Sequence, residues 1–157
     1  CELERLQIDR YDCTDLDVDF PAYQSAEFDY VNFNHVAEHL EKHSVLRILQ
    51  KAFVALRNGG ELYMEFPGVR SLNLPNMRGT LNFHDDPTHK TLLSASQIAL
   101  YCGELGYRVL ASGARRDIYR ITGTPLLIIR SLLRHGYVSG TCFWDLLGFS
   151  EYVHCRK

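Results

Sequence analysis

Three residues in the first third of the chain, His35, Glu38 and His39, form the pattern H-x-x-E-H. Two histidines four residues apart on one helix face can bind zinc while the glutamate acts as a general base, as in the inverted zinc-protease motif. Such a site needs a third protein ligand, and beyond residue 65 the only glutamates are Glu104 and Glu151. Neither glutamate lies in a predicted helix that would clearly bring it back into contact with the motif. A zinc hydrolase using His35/Glu38/His39 is therefore a minor alternative, and we predict no bound metal.

A further histidine, His89, lies in a long polar segment three residues after the Asp85-Asp86 pair. An imidazole titrates near neutral pH, so His89 is a candidate general base for a hydroxyl acceptor. His84, in the same segment, is the second candidate. The other interpretation is that His89 forms a local hydrogen bond that holds the loop, and the residues alone leave both open.

The elements around the first motif form a strand, a helix and a second strand. Residues 28–33 are apolar and aromatic, which predicts a strand buried on both faces. A helix follows from the capping Ser44, with apolar residues at three- and four-residue steps, and is predicted to end at Asn58-Gly59-Gly60. A second strand covers residues 62–66. In a doubly wound sheet, ligands bind at the carboxyl ends of the strands, so Asn34 and His35 are site candidates.

Strands and helices alternate along the rest of the chain, which predicts an α/β domain with a mainly parallel sheet. A first strand covers residues 3–11, and an irregular segment, 69–93, is long enough to be a lid or a binding loop. Ser94 and Gln97 form a capping box for a helix over residues 94–105. The remaining elements are a strand at 107–112, a helix at 124–136 and a last strand at 149–156, which is free to be antiparallel near the C-terminal edge.

Composition places the chain among ordinary globular proteins. It has 157 residues, of which 46% are hydrophobic and 23% charged, so we predict a single domain over residues 1–157. The formal charge of −2 gives no argument for nucleic acid or an anionic membrane. Five cysteines without a C-x-x-C pair favour a reducing compartment. No signal peptide or apolar run of the roughly 20 residues needed for a membrane span occurs, so we expect a cytoplasmic protein.

Four short segments in the first half resemble the central stretch of class I S-adenosylmethionine-dependent methyltransferases. They are FDYV at 28–31, NHV at 34–36, EHL at 38–40 and LRNGGEL at 56–62. Upstream, YDCTDL at 11–16 is similar to the acidic loop after that family's third strand. Downstream, DPTH at 86–89 and GELGY at 103–107 are similar to the region before the sixth strand in small-molecule members. The order and spacing of these segments carry the resemblance.

The resemblance implies a Rossmann-like methyltransferase sheet, S-adenosyl-L-methionine as the methyl donor and a small-molecule or saccharide-type acceptor. Asp12 and the amide of Cys13 would bind the adenine, since one can accept from its amine and the other can donate to a ring nitrogen. Asn34 and His35 would lie beside the cofactor, and His89 would be the catalytic base. The residues alone also allow Asp12 to be a turn aspartate and Asn34 a helix cap.

One part of the family pattern is absent. No G-x-G-x-G loop occurs in the sequence, and neither does the acidic residue that would hold the ribose hydroxyls. We therefore expect the first strands of the sheet to be missing through N-terminal truncation. The competing hypothesis is a methyltransferase-like interaction domain without cofactor. Either way, we expect this chain alone to bind S-adenosylmethionine weakly or not at all.

Overall fold

The computed structural model describes residues 15–18, 23 and 25–157. Within these ranges the strands are β1 (Phe28–Asn34), β2 (Leu56–Pro67), β3 (Arg108–Ala114) and β4 (Ser150–Arg156). The helices are α1 (Lys42–Ala55), α2 (Ala95–Glu104), α3 (Ile118–Thr122), α4 (Thr124–His135) and α5 (Trp144–Leu147). Short 3-10 turns occur at Ala37–His39, Val69–Asn73, Phe83–Asp85 and Gly140–Phe143. The strand predicted over residues 3–11 lies outside the described residues.

The described strands form one sheet in the order β1-β2-β4-β3. β1 and β2 are parallel, whereas β4 is antiparallel to both β2 and β3. The predicted α/β class is confirmed, with a Rossmann-like sheet that carries an antiparallel strand near its C-terminal edge. That strand does not form the edge itself, because β4 inserts between β2 and β3 and leaves β3 outermost.

The core lies against one face of this sheet. Leu62, Met64 and Phe66 alternate along β2 and are buried, as expected for side chains that share one face of a strand. The apolar side of α1 packs into the same cluster through Ile48 and Leu49. α2 and β4 complete the cluster with Ala95, Ile98, Cys102, Val153 and Cys155.

The prediction that β1 is buried on both faces is wrong. Asp29, Tyr30 and Asn32 are exposed, whereas Phe33 is buried. In the described part of the chain β1 pairs only with β2. Side chains of a strand are buried by elements packed on the faces of the sheet, and the exposure of these residues means that one face of β1 is not covered in this way.

The glycine pair that was predicted to end the first helix lies in a strand instead. α1 ends at Ala55, and Gly59, with φ 81°, lies in the irregular first half of β2. The Gly59 N–H donates to the carbonyl of Lys157 at 2.9 Å, and the Lys157 N–H donates to the carbonyl of Gly60 at 2.9 Å. Pairing with the end of β4 therefore explains these glycines better than helix termination does.

The N-terminus of α2 also differs from its prediction. Ser94 holds the cap position but makes no capping hydrogen bond, and its Oγ lies 2.8 Å from the Oγ of Ser96. The Ala95 N–H donates instead to Oε2 of Glu151 at 2.7 Å. A carboxylate from β4 thus binds the positive end of α2 and joins this helix to the sheet.

No helix in the described ranges combines the length and the apolar character that crossing a membrane requires.

We predict that Glu151→Ala lowers the free energy of unfolding by about 1 kcal/mol, the usual cost of losing a helix cap. Glu151→Gln should cost less, because its amide oxygen can still accept from the Ala95 N–H. The matched control is Glu104→Ala at the exposed end of the same helix, which should stay within about 0.5 kcal/mol of the parent. Urea unfolding monitored by circular dichroism measures all three. Equal losses in the Glu151 and Glu104 alanine variants would contradict the capping role.

Candidate functional site at the strand ends

The carboxyl ends of β1, β2 and β3 lie at the same edge of the sheet, because these three strands run in one direction. β1 ends at Asn34, which is exposed, and the backbone of the next residue, His35, has φ 52°. Left-handed backbone is costly for a residue with a side chain. The His35 N–H donates to the carbonyl of Glu65 near the end of β2 at 2.9 Å, which helps to hold this turn in place.

The ring of His35 lies between two carboxylates. Its Nδ1 donates to Oε1 of Glu38 at 3.2 Å, and its Nε2 lies 3.4 Å from Oε1 of Glu65. The indole of Trp144 packs against the ring, with 4.8 Å between centroids. Burial lowers the pKa of His35, but the two carboxylates outweigh burial and raise the pKa to about 9. His35 is therefore a cation at neutral pH, with both ring nitrogens protonated.

Glu65 joins this histidine to an arginine. Its side chain is 9% exposed, and its Oε2 lies 3.3 Å from Nε of Arg115, the first residue after β3. Tyr63 donates its hydroxyl to the same oxygen at 3.0 Å. Burial raises the pKa of Glu65, yet the His35 hydrogen bond and the Arg115 charge give a net lowering. Glu65 thus remains a carboxylate.

The ion pairs continue to Asp145 in α5, which is 3% exposed. Arg115 approaches Oδ1 of Asp145 to 3.1 Å, and Nε of Arg120 donates to Oδ2 at 2.6 Å. Together these groups form what we name the strand-end network, consisting of His35, Glu38, Glu65, Arg115, Asp145 and Arg120. Three acids face three cations, so the buried charges are balanced, as a stable arrangement requires.

Local sequence patterns did not identify Glu65, Arg115 or Asp145 as site residues. A signal existed for Glu65, which is a lone acid among the apolar residues of a predicted strand. Arg115 follows a predicted strand by a few residues, so its position at a strand end could have been found. Asp145 has no local signal, since only the packing of α5 brings it to this network.

A second group lies beside the network and contains Glu38, His39 and His89. One candidate ligand atom from each residue lies within 4.8 Å of the other two. The N–H groups of Lys90 and Thr91 donate to the carbonyl of Glu38 at 2.8 and 3.0 Å, which brings the loop of His89 to the turn of His39.

The ligand set considered for a zinc hydrolase is therefore wrong. His35 and His39 do not share a helix face, because only one short turn, Ala37–His39, forms here and His35 precedes it in left-handed conformation. His35 instead pairs with Glu38 and Glu65.

The loop that carries His89 is held by Asp85. The Asp85 carboxylate accepts from the backbone N–H groups of Met77, Leu81 and Asn82 at 2.8 to 3.0 Å. Partial burial raises its pKa, but these hydrogen bonds lower it to about 2. His89 itself is 4% exposed in its side chain and donates from Nδ1 to the carbonyl of Phe83 at 2.7 Å. The local hydrogen bond predicted for His89 is thus present.

Of the other predicted site residues, Asp12 and Cys13 lie outside the described residues. Asn34 is at the end of β1 as expected. It is not a helix cap, because the cap position of the following turn is Val36 and that of α1 is Glu41.

No protein-family model and no curated protein matches this sequence. Solved structures do match. The S-adenosylmethionine-dependent methyltransferase from Mesorhizobium loti aligns over 99% of this chain and 75% of its own, with a TM-score of 0.61 and 14% identity. The chain has the fold of the S-adenosylmethionine-dependent methyltransferases.

Two further structures share this methyltransferase fold. Geranyl diphosphate methyltransferase in complex with S-adenosylmethionine aligns over 99% of this chain and 61% of its own, with a TM-score of 0.61 and 14% identity. A methyltransferase from Archaeoglobus fulgidus aligns over 86% of this chain and 62% of its own, with a TM-score of 0.56 and 18% identity. This chain thus spans less than two thirds of the length of either protein. At these identities the likeness concerns the fold alone.

Of the described residues predicted to lie beside a methyl donor, Asn34 is exposed at the end of β1 and His35 begins the turn that follows it. The sequence contains no G-x-G-x-G loop.

We predict that the free energy of unfolding falls as the pH rises from about 6.5 to 9. Folding raises the pKa of His35 from 6.5 to about 9. The stabilisation from its positive charge is therefore fully present below pH 6.5 and is lost as the pH rises to about 9. After a discount for the partly exposed ring, we expect a loss of about 2 kcal/mol.

Urea unfolding of the parent and of His35→Asn at pH 6 and pH 9 measures this loss. Asparagine tolerates left-handed backbone, so the variant removes the ring without adding strain. His43→Asn on the exposed side of α1 is the control. The variant at position 35 should lack the pH dependence and the control should keep it. Parallel pH profiles for the parent and His35→Asn would contradict the assignment.

Proposed function

We propose that this chain is part of an S-adenosylmethionine-dependent methyltransferase that acts on a small-molecule or saccharide-type acceptor. The observation that supports it best is the sheet order β1-β2-β4-β3 with polar residues gathered where its parallel strands end. Ligands of doubly wound sheets bind at such strand ends. The methyltransferase structures of similar fold support the same conclusion.

The methyl donor, when bound, supplies an already activated sulfonium methyl group. The remaining tasks are to orient the acceptor, to exclude water and, for a hydroxyl acceptor, to remove a proton. In this proposal the strand-end network is a rigid support behind Asn34. It orients the turn without touching the acceptor, because its charges are already paired with one another.

His89 is our proposed base. Since its Nδ1 donates to the carbonyl of Phe83, the ring proton is on Nδ1 and the lone pair is on Nε2. Such a nitrogen can take the proton of an acceptor hydroxyl. Oδ2 of Asp86 lies 3.9 Å from this nitrogen and would stabilise the resulting imidazolium.

We also propose that residues 1–157 act as one unit and that the protein works in the cytoplasm. Cys102, Cys142 and Cys155 are free and buried thiols, which supports a reducing compartment.

We predict that His89→Ala lowers turnover by roughly a hundredfold, the usual contribution of a general base. The measurement uses the longest native polypeptide that contains this chain, with radiolabelled methyl donor. His43→Ala is the control, because His43 is an exposed histidine of α1 that is not a candidate base. The substitution should lower kcat, and it should also change the pH dependence of turnover. A change in KM alone, or unchanged turnover, would leave His89 with only its structural role.

We predict that the 157-residue chain binds S-adenosylhomocysteine weakly or not at all in isothermal titration calorimetry. The longest native polypeptide should bind it, and Asp12→Ala and Asn34→Ala should weaken that binding. Asn58→Ala at the opposite end of β2 is the control and should have no effect. Micromolar binding by residues 1–157 would contradict the expectation that these residues alone cannot bind the methyl donor. If Asn34→Ala binds S-adenosylhomocysteine as tightly as the parent does, Asn34 does not contact this ligand.

A further inference from the structure

We propose that Glu38, His39 and His89 form a binding site for a divalent transition-metal ion of the zinc type. Two imidazoles and one carboxylate are a common ligand set for such ions, and all three candidate ligand atoms lie within 4.8 Å of one another. The residues come from two segments that are joined by the hydrogen bonds of Lys90 and Thr91 to the carbonyl of Glu38.

The strongest argument is an unsatisfied oxygen on Glu38. This side chain is 1% exposed, and His35 binds its Oε1 at 3.2 Å. The other oxygen, Oε2, is buried and has no hydrogen-bond partner. Buried carboxylate oxygens are normally bonded, so an oxygen without a partner is unusual. A cation beside His39 and His89 would satisfy it.

The tautomer of His89 makes it suitable for this role. The carbonyl oxygen of Phe83 can only accept, so Nδ1 of His89 carries the proton in their 2.7 Å hydrogen bond. The lone pair therefore resides on Nε2 and is available to a metal. The general-base role proposed above uses the same lone pair, so a bound metal and proton transfer at His89 exclude each other. Histidines that bind metals characteristically donate their other ring N–H to a carbonyl or a carboxylate in this way.

The tautomer of His39 follows from a hydrogen-bond relay through Thr88. The Thr88 hydroxyl donates its single proton to Oδ1 of Asp86. The hydroxyl oxygen must therefore accept from His39, whose Nδ1 lies 2.9 Å away. His39 thus donates from Nδ1 and keeps its lone pair on Nε2. Both histidines therefore carry their ring proton on Nδ1 and leave Nε2 as the nitrogen that can bind a metal.

The charges around the group also favour a cation. Two carboxylates border the group, namely Glu38, whose Oε1 also binds the charged His35, and Asp86, whose Oδ2 lies 3.9 Å from Nε2 of His89 and which makes no ion pair with the strand-end network. The His39 and His89 rings face each other with centroids 5.0 Å apart. Zinc binds nitrogen and oxygen ligands at about 2.0 to 2.2 Å, so the three atoms would move closer together on binding. Three protein ligands leave a further position for water or an acceptor oxygen.

The test is direct metal binding by the 157-residue chain after removal of metals with a chelator. Calorimetric titration with Zn²⁺ and visible absorption with Co²⁺ should each show one equivalent bound with a micromolar or lower Kd. His39→Ala and His89→Ala should each raise the Kd at least tenfold. Glu38→Gln keeps the shape of the side chain and should do the same. Circular dichroism must show that the variants remain folded.

Control variants distinguish this site from adventitious metal binding by surface histidines. His43→Ala and His84→Ala remove exposed histidines and should leave the Kd unchanged. His35→Asn should retain binding, because His35 is outside the proposed set. The proposal is wrong if Zn²⁺ at 100-fold excess over protein does not bind, if Glu38→Gln binds as the parent does, or if only His35→Asn abolishes binding. No methyl donor is needed, so failure here and failure of the methyltransferase proposal remain distinguishable.

Discussion

The buried carboxylate of Glu65 is the constraint around which the strand ends are arranged. It lies near the end of β2 and is almost inaccessible to water, so it requires positive partners. His35 after β1 and Arg115 after β3 provide them, one from each side. A second buried carboxylate, that of Asp145, also binds Arg115 and so joins α5 to the same edge of the sheet. A single buried charge thereby sets the positions of three strand ends and one helix.

Glu38 connects this network to the group formed with His39 and His89. Its Oε1 binds the charged ring of His35, its backbone carbonyl holds the loop after His89, and its Oε2 is buried without a hydrogen-bond partner. The acidic and basic groups of the two clusters therefore share one residue. A change in the charge of one cluster will therefore act on the other through Glu38, whose side chain is almost fully buried.

Much of the fold followed from local patterns. The helix predicted to end at Gly136 does so, with the left-handed backbone expected of a terminal glycine, and begins at Thr124 as predicted. The long irregular segment before α2 is also present. Two errors, at Ser94 and at Gly59, share a cause. Glu151 and not Ser94 accepts the hydrogen bond at the start of α2, and Gly59 lies in a strand that pairs with the end of β4. In both places a distant segment offered a better hydrogen bond than the neighbouring residues did.

The sequence by itself determined the order of the four described strands and of α1, α2 and α4, and it located Asn34, His35 and His89 in the connections where sheet proteins bind ligands, whereas α3 and α5 were not predicted. Those features depend on periodicity and turn chemistry within a few residues. Only the tertiary structure decided that His35 pairs with Glu65, and that His39 meets His89 across the loop. These partners are dozens of positions apart, and the insertion of β4 between β2 and β3 governs which strand ends are neighbours. A local pattern cannot specify such contacts, because they arise from strand order and from the need to neutralise buried charge.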